Sequence, residues 1–175
     1  MDAVFVNQIT LTKEVLREFY SRFPGLAWWG SKIVLPVFGI LMILLASFLA
    51  IGGSLFVFIM RAIFGLILIF FEPVLVWVLS KIRYRQQVLL NGGSEMWQKK
   101  EFADQIRIAS SNKAETSFDY AQIKQIGETK HLILLRTAYA VGIIVGKDGF
   151  TVGTLEGFRG FIRAKCPSAR FVSFH

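Results

Sequence analysis

Charge is nearly missing from the middle of this chain. Between Ile33 and Leu79 the only ionisable residues are Arg61 and Glu72, a scarcity that no compact soluble core of this size requires. Cysteine is reduced to Cys166, which excludes an internal disulfide and reads as a reduced, small hydrophobe at a helix end. Histidine is limited to His131 and His175, neither with Cys, Asp or His at metal-ligand spacing, so no metal site is expected. What the chain has in abundance is apolar: 54% of its 175 residues are hydrophobic, 17 of them Phe, and the mean hydropathy is +0.52. That excludes an ordinary soluble domain, and it equally excludes disorder, because such a sequence cannot stay unburied in water. An integral membrane protein is expected.

Two membrane segments are legible. Ile33 to Ala50 is free of charge, and twelve of its residues are Ile, Leu, Val or Phe, together worth about −4 to −7 kcal/mol on the insertion scale. Trp28 and Trp29 precede the run and Lys32 marks its edge, the ring-plus-cation pattern of a membrane interface; the helix is expected to start near Trp29, with Pro36 in about the first turn. Ile51-Gly52-Gly53-Ser54 is the turn-prone cluster that divides the apolar tract into a helical hairpin. The second span, Leu55 to Leu79, holds eighteen Ile, Leu, Val or Phe, against which Arg61 and Glu72 cost at most about 5–7 kcal/mol. Trp77 is the interface anchor at its far end. Arg61 and Glu72 are structural on this reading, snorkelling or touching the first helix or a second copy; eleven residues apart, they cannot pair within one helix. Lys13, Arg17, Arg22 and Lys32 flank the first span, Lys81, Arg83, Arg85, Lys99 and Lys100 follow the second, and the connecting loop has no cation. Both termini are therefore expected in the cytoplasm, with no cleaved signal peptide.

The water-facing parts read differently. Val4 to Leu11 is rich in β-formers, and Thr12 can cap a short helix, stopped at Pro24-Gly25, that places Val15, Leu16, Phe19, Tyr20 and Phe23 on one face. That face either lies along the bilayer or packs on the later domain. After the second span the helix continues to a stop at Asn91-Gly92-Gly93. Strands are expected at Phe102–Ala109, Ala114–Phe118, Ile123–Thr129, His131–Arg136 and Tyr139–Val145, with turns at Ser110-Ser111-Asn112 and Lys147-Asp148-Gly149. Thr154 caps a last helix running to Cys166 and ended by Pro167, with Leu155, Phe158, Ile162 and Cys166 as its apolar stripe. The fold class is membrane α+β: a two-helix transmembrane hairpin over about 29–50 and 55–79, then a small antiparallel-β domain closed by a C-terminal helix in the manner of a pleckstrin-homology-like domain.

Nothing in the pattern carries catalysis. Gly142-Ile-Ile-Val-Gly-Lys-Asp has three residues between its glycines where a phosphate-binding loop needs four, and Asp148 stands where that loop needs Ser or Thr. Cys166 has no recognisable base, and Glu95, Glu101 and Asp104 read as solvated charges. No catalytic residue and no cofactor is expected. Residues 81–175 hold fifteen Lys and Arg against eight Asp and Glu, but the cations are interspersed with acids and no nucleic-acid motif appears. Lys81, Arg83 and Arg85 point instead to anionic lipid headgroups.

The runs Ser117–Thr129, Leu132-Ile133-Leu134, Gly142–Gly153 and Phe158–Lys165 together resemble the C-terminal domain of the YcxB-like family of bacterial membrane proteins. Gly146 departs from it, standing before Lys147 where that family is expected to favour proline. The resemblance implies a cytosolic N-terminal strand and amphipathic helix over 1–28, a hairpin over 29–80, a YcxB-like domain over 81–175 and a multi-pass place in the bacterial inner membrane. It attaches no reaction. The expected function is a non-enzymatic membrane protein whose cytosolic domain binds a protein partner or the anionic membrane surface. The alternatives are an immunity factor against a membrane-acting toxin, or an oligomeric transporter subunit built around Arg61 and Glu72.

Overall fold

The computed structural model describes residues 3–22, 28–49, 55–139 and 141–173, with side chains from 28 to 33 and from 46 to 49 left aside. In chain order the elements are β1 (Phe5–Thr10), α1 (Lys13–Arg22), α2 (Trp28–Leu49), α3 (Leu55–Leu90), β2 (Trp97–Phe102), β3 (Ile106–Ser110), β4 (Glu115–Phe118), β5 (Ile123–Glu128), β6 (Leu132–Thr137), β7 (Gly142–Gly146), β8 (Phe150–Val152), α4 (Leu155–Lys165) and β9 (Arg170–Ser173). They fall into two compact units: Pro24–Leu79, and the joined segments Met1–Phe23 and Ser80–His175.

In the helical unit, α3 is long and apolar enough to cross a membrane, and little of that stretch is buried within the protein. The described apolar stretch of α2, Val34–Leu45, is shorter. Pro36 lies in the third turn of α2 and not the first, so α2 forgoes one backbone hydrogen bond in its interior. The expected loop at 51–54 and the Pro24-Gly25 stop lie outside the described residues. The two helices meet at glycine: a Cβ on Gly39 would sit 2.7 Å from the Gly65 carbonyl oxygen, and one on Gly65 would sit 2.6 Å from Ile43 Cγ1. Only a missing side chain on both lets the backbones approach so closely. α3 runs on without a break to Leu90 and stops at Gly92 and Gly93, whose φ of +68° and +91° suit glycine.

The β unit has two sheets, ordered β4-β3-β2-β1-β8 and β7-β6-β5-β9. All ladders are antiparallel except β5 with β9. Phe5, Phe102 and Ile106 of the first sheet share one core with Ile123, Ile133, Leu135 and Val145 of the second and with Phe158 and Ile162 of α4. The other face of the second sheet is covered by α1: Leu11 and Leu16 pack with Leu132, Leu134 and Ile144, and Tyr84 of α3 joins them. This settles the open question about the apolar face of the first helix, which packs on the sheet; its expected member Phe23 lies outside the described residues. It also explains why β6 reads as an unbroken apolar run, since alternate residues enter different cores. Thr154 caps α4 by accepting the Gly157 N–H at 3.2 Å, and Glu156 and Arg163 complement its dipole.

Several expectations are corrected. The expected strand Phe102–Ala109 corresponds to β3 from Ile106, and β2, which ends at Phe102, was not expected as a strand; a tight turn in which the Ala103 N–H donates to the Gln105 carbonyl reverses the chain between them. The last expected strand begins at Gly142, after a turn in which Val141 N–H reaches Thr137 Oγ1. β8 and β9 were not legible as strands, and β9 means that α4 is not the closing element. Most consequentially, the N-terminal strand is no separate appendage. β1 lies inside the first sheet, between β2 and β8.

Candidate functional site

The cations expected to face lipid lie on the last turns of α3. Lys81, Arg83 and Arg85 are all exposed, but helical geometry divides them: Lys81 and Arg85, four residues apart, share a face, whereas Arg83 projects from the other side. Arg83 reaches Gln86 Oε1 at 3.4 Å and lies within hydrogen-bonding distance of Tyr20 on α1, partly offsetting the burial that raises the Tyr20 phenol. Lys13 sits over the Tyr84 ring at 5.2 Å, and Tyr84 donates to Glu95 at 2.8 Å. This stretch of α3 is thus held to α1 on one side and presents Lys81, Arg85 and the exposed Ile82 and Leu89 on another.

Of the expected interface anchors, Trp77 is half-exposed on α3. The side chains of Trp28, Trp29 and Lys32, at the start of α2, lie outside the described set. Arg61 and Glu72 are each half-buried. Eleven residues of helix return almost to the same azimuth, so both lie on the stripe of α3 that includes Gly65 and Leu68 and meets α2 at Gly39.

Two polar arrangements in the β unit escaped sequence reasoning. The first is a hub at Glu128 on β5. Lys147, from the β7–β8 turn, pairs with it at 2.7 Å; Arg159 of α4 hydrogen-bonds it and also Glu156. Burial pushes the Glu128 carboxyl up, but the Arg159 and Lys147 hydrogen bonds and charges outweigh this and hold it below the usual range. Beside the hub is a cleft of about 240 Å³ floored by Ile126, Ile133 and Ile162 and edged by Arg163, which stacks over Phe171 at 5.4 Å. Arg159 and Arg163 read as a solvated face because their partners, β5 and β9, are distant in sequence. The second arrangement is Lys100 on β2, completely buried opposite Asn7 of β1. Its signal was present: in Trp97-Gln-Lys-Lys-Glu-Phe, a strand that buries Phe102 must also turn Lys100 inward and Lys99 and Glu101 outward.

The one cysteine lies in the shared core, outside both arrangements. Burial pushes the Cys166 thiol up to about 11, leaving it protonated at neutral pH, and its Sγ lies 3.6 Å from the Tyr120 carbonyl oxygen. Asn7 donates through Nδ2 to the Gly146 carbonyl at 2.7 Å and accepts the Gly146 N–H at 3.1 Å. A proline at 146 would have no N–H for the second bond.

Residues 103–162 match the family model of YcxB-like proteins. The YcxB-like segment begins in the β2–β3 turn and ends within α4, so it contains the Glu128, Lys147 and Arg159 hub. It leaves outside it Asn7 and Lys100, Arg61 and Glu72, and Lys81, Arg83 and Arg85. No curated protein and no solved structure matches the chain.

Proposed function

We infer that this protein is a non-enzymatic component of the bacterial inner membrane, anchored by α2 and α3 as a two-span hairpin with both termini in the cytoplasm. Its β unit, pleckstrin-homology-like in its strands and in α4, acts as a binding module at the membrane surface. The observation that carries this reading is α3: one continuous helix of 36 residues on which an apolar run long enough for a bilayer ends in exposed Lys81 and Arg85. An anionic leaflet attracts such juxtamembrane cations by about 1 kcal/mol each, so the pair supplies about 2 kcal/mol, or a factor of about 30 in local association. Because the helices already tether the β unit, the effect is orientation and not recruitment.

The full chain, reconstituted in vesicles, tests this. Acylation of Lys81 by a water-soluble ester should be several-fold slower in anionic than in neutral vesicles at low salt, and the difference should shrink as added salt shortens the Debye length. Equal rates in both lipids would remove the lipid and leave a protein partner as the use of these cations. Topology is read separately: in a chain with Cys166 replaced by Ser, an impermeant thiol reagent outside the cell should modify Cys introduced for Gly53 and spare Cys at either terminus. Labelling of the termini from outside would reverse the orientation.

A further inference from the structure

Lys100 is used by nothing described above, yet it is the charged side chain most deeply enclosed among the described residues. It is completely buried, and its Nζ has no hydrogen-bond partner. Its register neighbours are Asn7 on β1 and Ile108 on β3, and the Asn7 amide is already committed on both sides to Gly146 of β7.

The elements packed around it supply no counter-charge. β1 turns Phe5 into the core, β3 Ile106, the facing sheet Ile133, Ile143 and Val145, and α4 Phe158 and Ile162. The titratable groups of that core are Tyr120 and Cys166, both raised by burial and therefore neutral near pH 7. No Asp or Glu is buried among the described residues. On β2 itself, Lys99 and Glu101 point to the other face and pair with each other at 2.7 Å. Burial alone brings the Lys100 amine down to about 7 from 10.5.

We propose that Lys100 is a proton-operated latch on the N-terminal strand: with the amine neutral, β1 stays seated between β2 and β8; with the amine protonated, β1 leaves and lets water reach it. Topology selects β1 as the part that moves. β2 and β3 are joined by a tight turn, whereas β1 reaches β2 only through α1, α2 and α3, so parting them opens no hairpin. The other neighbour of β1, β8, holds it by two register pairs, Val6 with Val152 and Asn7 with Phe150, with a shift between them. Because Thr10-Leu11-Thr12 leads directly into α1, unseating β1 also loosens the helix that covers the second sheet.

Hydrogen–deuterium exchange of the full chain in detergent, from pH 6 to pH 9 and corrected for intrinsic exchange, reads the latch. The opening constant of a peptide covering 5–10 should rise roughly tenfold for each unit of falling pH down to about 7 and level off below it. A peptide covering 123–137, in β5 and β6, should stay closed throughout. Lys100→Met keeps the apolar stem and removes the amine, so its β1 peptide should exchange at the alkaline level at every pH. A Lys100→Met chain that retains the pH dependence, or opening in β5 and β6 as large as in β1, would each overturn the latch.

Discussion

The helical unit and the β unit solve the problem of close packing in opposite ways. Both depend on glycine. In the helices, Gly39 and Gly65 bring together two segments 26 residues apart in sequence, and most of the exposed side chains around them are apolar. In the β unit, Gly149 and Gly153 make room for Gln8 and Phe5: a Cβ on Gly149 would lie 2.3 Å from the Gln8 carbonyl oxygen, and one on Gly153, where φ is +81°, would lie 2.2 Å from Phe5 Cδ1. Those contacts span about 140 residues of chain. A helix forms its hydrogen bonds locally, so α3 can be whole without its neighbours; a strand such as β1 has no hydrogen bonds until its partners arrive.

The largest effect that separates the two units should come from deleting residues 1–12. The β unit would lose a central strand and the seat of α1, so its unfolding should move to a much lower temperature while β5 and β6 stay paired, and the helix content of α2 and α3 in detergent stays. An unchanged transition in calorimetry would mean that β1 is dispensable and that the contrast is false. For the same reason a fragment covering only 81–175 should be strongly destabilised, which is why lipid binding is tested on the intact chain.

Next comes the centre of the shared core. Phe158 is completely buried, with ring centroids 4.7 Å from Phe102, 5.1 Å from Phe150 and 5.7 Å from Phe5. Phe158→Ala should cost about 3–5 kcal/mol in denaturant unfolding, and Phe158→Asp should prevent folding of the β unit. A cost under about 1 kcal/mol would place the stabilising contacts elsewhere.

A smaller effect is expected in the helices. Gly65→Ala pushes a methyl against Ile43 and the Gly39 carbonyl, and overpacking of this kind costs about 1–3 kcal/mol. The unfolding of the helices in detergent should shift accordingly, and an unchanged transition would show that the helices do not cross there.

The smallest effect belongs to the hub. Glu128 is held below its usual 4.5 in the folded chain, so its contribution is present above that value and is lost as pH falls through the lower folded pKa. Glu128→Gln should lower stability by no more than about 1 kcal/mol at pH 7, because the group is partly exposed and its ion pairs are screened. The loss should vanish on acidification. A loss that persists at pH 2 would identify a packing role instead of a charge.

Much of the β unit was legible as elements. Thr154, Glu156 and Pro167 delimit α4 within a residue, and Thr12 does the same for α1, where the Val15 N–H reaches its Oγ1 at 3.3 Å. Caps are short-range chemistry, so the signal lies within a few residues. β8 and β9, with three and four residues, are too short to show alternation. Of the candidate site, Lys81, Arg83 and Arg85 were found as a group by their nearness to the apolar run, and the turn of the helix divided them. Arg159 and Lys147 were visible as charges but not as partners, since Glu128 reaches them only after β5, the β7–β8 turn and α4 have assembled.

By itself the sequence determined an apolar helix fit for a bilayer, the ends of α4 and the positions of several strands, because hydropathy, caps and alternation act over a few residues. Tertiary structure alone decided that β1 sits between β2 and β8 and that α1 covers the second sheet. Each of these depends on which segments from opposite ends of the chain come to share a face, and burial follows from that pairing and not from the residue's own chemistry.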